Sequence, residues 1–420
     1  MVELPAAFME ETRRLMGEAR FGQYLAAFEV EPPVSIRLNP WKTRGNGGAL
    51  PVLAVADAGA GRVPWCRDGW YLSERPNFTM DPLLHAGCYY VQEAASMFLD
   101  EVLRQHLPLI THRTSPMMAL DLCAAPGGKS TLLRAVLPAD SMLYSNEPVR
   151  QRASVLAENV QKWGYSNHVV TNNYPADYRR SGLTFDLILC DVPCSGEGMF
   201  RKDAATIGEW SPQQVERCAA LQRSIVSDAW ACLRPGGLLI YSTCTFNTRE
   251  NEENIQWLLD EYADAEVLPV GVRPEWGITG SLLEGFAEPV FRFIPGFTRG
   301  EGLFMCVLQK RDGQAEERNE RKTKRRTDGL NYLLAPDSAP LASDEYVELT
   351  YRQAMDYLRR EAITLPAEAP RGVVNVGFMG RALGPVKNIG TRANNLYPKE
   401  WRIKTTRIPQ DYEPVLTPAT

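Results

Sequence analysis

Leu120-Asp121-Leu122-Cys123-Ala124-Ala125-Pro126-Gly127-Gly128-Lys129-Ser130 carries an apolar strand into a glycine turn and opens a helix, expected over residues 131–137. Glycines let the backbone approach a ligand closely, and a helix N-terminus favours a negative group there. Gly128-Lys129-Ser130 matches the end of a phosphate-binding P-loop. That pattern also needs a glycine five residues before Gly128, where Cys123 stands, so a nucleoside triphosphatase is disfavoured. A cofactor with an adenosyl group and a carboxylate-bearing tail fits better. Glu147 lies 19 residues past Gly128, at the end of the next candidate strand, where an acid suits a ribose diol. Its plainer reading is an ordinary acid at the start of a helix, just before Pro148.

Outward from this stretch, strands and helices alternate from residue 117 to 310, the pattern of an α/β fold with a parallel sheet. Candidate strands are 117–123, 142–147, 168–172, 185–190 and 238–244, with 303–309 a late, antiparallel one. Ser211-Pro212 signals a helix start, and Pro235-Gly236-Gly237 is expected to stop that helix. The expected organisation is an N-terminal α+β region over 1–112, opened by a helix within 4–28. The α/β domain follows over 113–310, then a polar linker over 311–328 and a C-terminal domain over 329–420.

Two candidate strands end on cysteine turns, Asp191-Val192-Pro193-Cys194 and Ser242-Thr243-Cys244. Ligands of open α/β sheets bind outside those carboxyl ends. A single free cysteine is most often buried packing. Two at strand ends beyond a cofactor loop point instead to thiolate chemistry. The residues alone leave open which thiol attacks. Cys123, Cys190, Cys218, Cys232 and Cys306 lie in apolar patterns and are expected to pack, as are Cys66 and Cys88.

The bulk numbers exclude several classes. A chain of 420 residues has room for two or three domains. Its 44% hydrophobic and 23% charged residues are ordinary for a soluble protein. The first 20 residues lack the unbroken apolar core of a signal peptide, and no apolar run is long enough for a bilayer. Nine cysteines, an odd count, imply reduced thiols and a cytoplasmic location. With four histidines and no Cys-x-x-Cys, no metal site is expected. The net charge is −5, yet residues 371–410 hold eight Lys or Arg against Glu400 alone. Such a patch can bind a polyanion whatever the total charge, although a solvated basic face with no partner has the same composition.

Residues 121–130, the segment Asp191-Val192-Pro193-Cys194-Ser195-Gly196-Glu197-Gly198, and Tyr241-Ser242-Thr243-Cys244-Thr245 with Glu250-Asn251-Glu252 together resemble the Sun/nucleolar-protein family of RNA cytosine-C5 methyltransferases. The likeness is closer to its bacterial RsmF (YebU) type, through Met199-Phe200-Arg201-Lys202-Asp203 and Tyr89-Tyr90-Val91-Gln92-Glu93. The tail around Leu383-Gly384 and Pro398-Lys399-Glu400-Trp401-Arg402-Ile403 looks like that type's PUA-like RNA-binding end. The resemblance covers most of the chain and is most specific between residues 117 and 254.

The resemblance implies a Rossmann-like core that binds S-adenosylmethionine and methylates C5 of a cytosine in structured RNA. Small-subunit ribosomal RNA is the preferred substrate; transfer RNA and a non-catalytic ribosome assembly factor are the alternatives. It implies Cys244 as the nucleophile, Cys194 as the cysteine that assists release, and Asp191 as the contact to the target base and cofactor. Without it, the Pro-Cys motif used by DNA cytosine-C5 methyltransferases would select Cys194. Ala124, Ala125, Pro126, Gly127, Gly128 and Lys129 would line the methionine end, with Glu147 on the ribose and Arg152 beside them. The family commonly places an acid near adenine after the third strand. Here that turn reads Thr171-Asn172-Asn173-Tyr174-Pro175, leaving Asn173 for a polar contact. Arg201, Lys202, Arg381, Lys387, Arg392, Lys399 and Arg402 are the expected RNA contacts, on a monomer without membrane or metal partners.

Overall fold

The computed structural model describes residues 3–44, 52–111, 116–312, 329–335, 345–405 and 407–419. Most of the expected polar linker lies outside them. Helix α1 (Ala6–Ala26) buries Phe8, Met16, Phe21 and Tyr24 and breaks at Gly17, whose φ of 73° is left-handed. Strands β1 (Val34–Leu38), β2 (Leu53–Val55), β3 (Gly69–Leu72) and β4 (Tyr89–Val91) follow, with β1 between β3 and β4 in a small antiparallel sheet. Helix α2 (Phe98–His106) leads into the central domain.

That domain runs β5 (Met118–Asp121), α3 (Gly128–Val136), β6 (Met142–Asn146), α4 (Arg150–Trp163), β7 (His168–Thr171), α5 (Pro175–Ser181), β8 (Phe185–Asp191), α6 (Pro212–Cys232), β9 (Leu233–Thr243), α7 (Glu252–Glu261), β10 (Ala265–Leu268), β11 (Phe291–Phe293) and β12 (Leu303–Lys310). Strands β9-β8-β5-β6-β7 are parallel, and β12 adds antiparallel to β9 as expected. A parallel sheet is covered on both faces, so its strands read as continuous apolar runs. Leu187, Leu189, Leu238 and Ile240 pack on one face, while Ile188, Cys190, Leu239 and Tyr241 pack on the other. This is the two-residue alternation of a strand.

Two expectations need correction. The Ser211 hydroxyl accepts from Gln214 N–H as an N-cap should, but α6 ends at Cys232 and β9 begins at once. Pro235-Gly236-Gly237 therefore lies inside the strand, beside a register shift opposite Phe185 and Leu187. Proline is tolerated at such an irregularity. A Cβ on Gly237 would stand 2.9 Å from the carbonyl oxygens of Arg234 and Asp186, a close backbone approach that only glycine allows. The second correction concerns residues 329–335, expected in the C-terminal unit. Strand β13 (Tyr332–Leu334) instead pairs antiparallel with β7 at the edge of the central sheet.

The C-terminal unit follows with β14 (Val347–Glu348), α8 (Tyr351–Leu358), β15 (Gly372–Phe378), β16 (Arg381–Asn388) and β17 (Ala393–Asn395), whose strands form one sheet in that order. Strand β18 (Leu416–Pro418) returns to pair with β2. The two ends of the chain also share a core: Ile36, Leu83 and Tyr89 pack with Met355, Leu358, Val376 and Val386. The C-terminal unit is thus fastened to the N-terminal region and does not hang from the linker.

Candidate active site

The chain leaves β5 toward β6 on one side and returns to β8 on the other, so a crevice opens beyond the carboxyl ends of β5 and β8. Asp121 ends β5 and Asp191 ends β8, while β9 delivers Cys244 one residue beyond its last. Asp191 is in register with Ser242. The Ser242 hydroxyl donates to one Asp191 oxygen at 2.6 Å, and the Lys129 ammonium donates to the other at 2.8 Å. The lysine expected at a cofactor carboxylate and the aspartate expected at a base are therefore one ion pair. They link the cofactor loop to the cysteine strands.

The two expected thiols meet. Cys194 Sγ and Cys244 Sγ are 3.1 Å apart, and Cys194 Sγ also accepts the Cys244 N–H at 3.3 Å. Both are partly exposed, as is Cys123, which packs against the core, whereas Cys66, Cys88, Cys190, Cys218, Cys232 and Cys306 are buried. The hydrogen bond to Cys244, then burial, pushes the Cys194 thiol well up, so Cys194 keeps its proton. The turns approach closely because Gly198 N–H donates to Cys244 carbonyl at 2.7 Å. A Cβ at Gly198 would stand 2.7 Å from that oxygen.

On the cofactor side, Gly127 adopts φ 112° at the start of α3, a conformation suited to glycine. The loop is held by a residue that lies in none of the motifs. Arg37 of β1 is buried and donates to Gln92 Oε1 at 2.7 Å, Thr131 Oγ1 at 2.6 Å and Gly128 carbonyl at 3.2 Å. Its guanidinium also lies 4.5 Å from the Trp163 ring centre. Glu147 is buried; its carboxylate accepts the Val149 N–H at 2.9 Å and lies 3.4 Å from Arg152, which also donates to Ala125 carbonyl. The Asn173 side-chain amide and carbonyl face the Asn331 backbone, so this side chain fixes the β13 edge.

Asp121 accepts from the Ser130 hydroxyl at 2.6 Å, and its other oxygen is buried without a partner. Burial, with the Asp191 charge adding, raises its pKa to about 7. Between about pH 4 and pH 7 the folded chain holds a proton that the unfolded chain has released, so stability falls as pH rises through that window. Asp121→Asn is expected to remove this slope, gaining stability over the native chain at pH 8 and little at pH 4. Urea unfolding at both values checks it; a difference that does not change with pH would refute it.

The expected RNA contacts divide. Lys202, Lys387, Arg392, Lys399 and Arg402 are exposed. Arg201 is instead half-buried, donating to Glu301 at 3.2 Å and the Val30 carbonyl at 3.0 Å, and fastens the 196–202 turn to the N-terminal region. Arg381 is buried, donating to the carbonyls of Lys42 and Gly380. Charge clustering in a sequence cannot tell a solvated cation from one that ties two units together.

Glu197, Glu250 and Glu252 lay in the quoted motifs without an assigned role. Each sits three to eight residues from a cysteine, which was the available signal. Glu252 forms a buried pair with Arg292, whose Nη1 donates to the Phe246 carbonyl at 2.8 Å. Among the described residues, no group of His, Cys, Asp or Glu could hold a metal ion, and no helix is long and apolar enough to cross a membrane.

Comparison with known proteins agrees with this geometry. A family model for the 16S rRNA methyltransferase RsmB/F matches residues 110–309. Models for the N-terminal domain of 16S rRNA methyltransferase RsmF and for the methyltransferase RsmF PUA domain match 4–94 and 345–403. Ribosomal RNA small subunit methyltransferase F of Escherichia coli O81 (strain ED1a) is 36% identical over 321 residues, and that of Klebsiella pneumoniae (strain 342) is 36% identical over 320. Each match covers 74% of this chain and 64% of the relative, so the chain spans about two thirds of their length. The crystal structure of a methyltransferase homolog protein from Pyrococcus horikoshii aligns with TM-score 0.58 and 26% identity, over 74% of this chain and 96% of that one. NSun6 from Pyrococcus horikoshii with SFG shares the fold at TM-score 0.56 and 18% identity, over 74% and 99%. With three models of one kind matched in order along the chain, the middle one over the crevice that pairs Cys194 with Cys244, the chain belongs to the RsmB/F methyltransferase family.

Proposed function

We propose that the protein transfers a methyl group from S-adenosylmethionine to C5 of a cytosine in structured RNA, with small-subunit ribosomal RNA as the substrate. The observation that carries the reading is the pair of partly exposed thiols 3.1 Å apart at the ends of β8 and β9, beside the Asp191–Lys129 pair. The relatives' printed names supply the ribosomal RNA.

The glycine turn at the start of α3 and the buried Glu147 support S-adenosylmethionine as the cofactor. The N-terminus of α3 and Lys129 offer positive potential for its carboxylate, and Glu147 offers acceptors for its ribose. When bound, S-adenosylmethionine supplies an electrophilic methyl group. C5 of cytosine is a poor nucleophile, and a thiolate added at C6 makes the ring enamine-like, dividing one hard step into easier ones. Cys244 Sγ forms that bond. Cys194, which keeps its proton, stands within reach of the departing sulfur. After C5 has gained the methyl group, solvent water takes its proton; the electron pair left behind re-forms the C5–C6 double bond and expels the Cys244 sulfur, which takes the Cys194 proton, and Cys194 is reprotonated from solvent. Asp191, held by Ser242 and Lys129, would accept a hydrogen bond from the exocyclic amino group of the base. The target base must leave its stack to reach these groups.

The test incubates the full chain with methyl-labelled cofactor and ribosomal RNA, then digests the RNA to nucleosides. Label in 5-methylcytidine is expected; label in another base, or in none, would refute the reading. The exposed cations carry a second expectation. Neutralising Z phosphates gives a salt slope of roughly 0.7–0.9 Z. Replacing Lys387, Arg392, Lys399 and Arg402 together by alanine should flatten the plot of log affinity against log salt by about 3. An unchanged slope would remove RNA docking from this surface.

A further inference from the structure

The two cysteine turns are tied by carboxylates exchanged between them. Glu197, on the Cys194 turn, accepts the N–H groups of Phe246 and Asn247 at 2.7 and 2.9 Å on the Cys244 turn. Glu250, on the Cys244 side, accepts Ser195 N–H at 3.0 Å on the Cys194 turn. Both carboxylates are at least 98% buried. Their hydrogen-bond partners are neutral: backbone N–H groups, Trp210, Gln222 and Asn247. Burial, with Glu197 adding, pushes the Glu250 pKa up. Two like charges in so dry a place need a donor between them.

Asn247 is that donor. Its Nδ2 lies 3.0 Å from Glu197 Oε1 and 2.8 Å from Glu250 Oε1, and its Oδ1 accepts Glu250 N–H at 2.9 Å. Ser195 Oγ and Thr245 Oγ1 complete the cluster, 2.9 Å from one another. Only an amide of this length gives two protons and accepts a third.

We propose that Asn247 is a positioning residue: by bridging Glu197 and Glu250 it fixes the register of the two turns, and so keeps the Cys194 and Cys244 thiols together. Asn247 touches neither sulfur and acts through the backbone on either side of each cysteine. The consequence for methyl transfer rests on the function proposed above. The thiol spacing stands without it and is read separately.

The test uses the full chain without RNA or cofactor. Phenylarsine oxide is captured by two neighbouring thiols, with loss of one water; iodoacetamide alkylates each thiol alone. The native chain should bind one equivalent of arsenical, abolished by Cys194→Ser or Cys244→Ser. Asn247→Ala should weaken capture at least about tenfold, the scale of losing bonds to charged groups, while both cysteines still alkylate. Asn247→Asp should weaken it further at pH 8. It should recover toward pH 6, where a protonated carboxyl can again donate. The alanine variant should show no such recovery, which a merely destabilised fold would not distinguish. If Asn247→Ala does not fold by circular dichroism, Glu250→Gln replaces it with the same expected loss. Native arsenical affinity in a folded variant, or identical pH responses of the alanine and aspartate variants, would overturn the proposal. Lost capture with no methyl transfer in the native chain would uphold the spacing and reject the proposed function instead.

Discussion

Cys194→Ala is expected to leave the protein covalently joined to its RNA. Cys244 would still add to C6 and the base would still accept the methyl group, but the step that frees the sulfur would lack its partner. A denaturing gel of the variant with cofactor and ribosomal RNA should then show a cofactor-dependent adduct, absent from the Cys194→Ala/Cys244→Ala double variant. Turnover should fall by about 10²–10⁴, the range for losing one proton-transfer group. Cys244→Ala should form no adduct and lose at least about 10³ in turnover, because the covalent route itself is gone. The assignment rests on the family resemblance, and the upward shift of the Cys194 thiol, from its bond to Cys244 and then burial, agrees with it, since a protonated thiol is the poorer nucleophile. An adduct from Cys244→Ala alone would reverse the two roles. No adduct from either, with no methylation by the native chain, would return the assembly-factor alternative.

The reach of the sequence follows from how local each signal is. Strand runs, the glycine turn and the two cysteine turns are set by a few consecutive residues, and the structure places all of them at one crevice. The α6 boundary was misread because Pro-Gly-Gly usually ends a helix, whereas here it serves a bulge in β9. The tie from Asn173 to the β13 edge was out of reach because its partner, Asn331, lies 158 residues away. Arg37 and Arg292 were invisible for the same reason. Each is a lone charge in a short strand, and nothing nearby says that its partner is the cofactor loop or a glutamate in another element. Arg201 and Arg381 show the converse, in which a basic residue beside a motif, expected at RNA, is seen to hold two units together.

Arg292→Met is expected to cost about 3–5 kcal/mol, because it strands the Glu252 charge in the core. Both side chains are within 1% of full burial. Arg292 Nε donates to one Glu252 oxygen at 2.8 Å, Nη2 donates to the other, and Nη1 reaches Phe246 carbonyl at 2.8 Å, two residues past Cys244. The guanidinium also lies 5.1 Å from the Phe304 ring centre. A fall of roughly 10 °C in melting temperature is the corresponding observable. Arg292→Lys should recover little, since a point charge cannot replace the three-way fork. The double variant Arg292→Met/Glu252→Leu should lose less than Arg292→Met alone, because it removes the stranded charge along with its partner. The same cycle separates stability from positioning. If the pair only stabilises, the double variant recovers both melting temperature and turnover. If Arg292 also steers the Cys244 turn through Phe246, melting temperature recovers while turnover stays low. The second pattern is expected, because no apolar side chain can donate to that carbonyl.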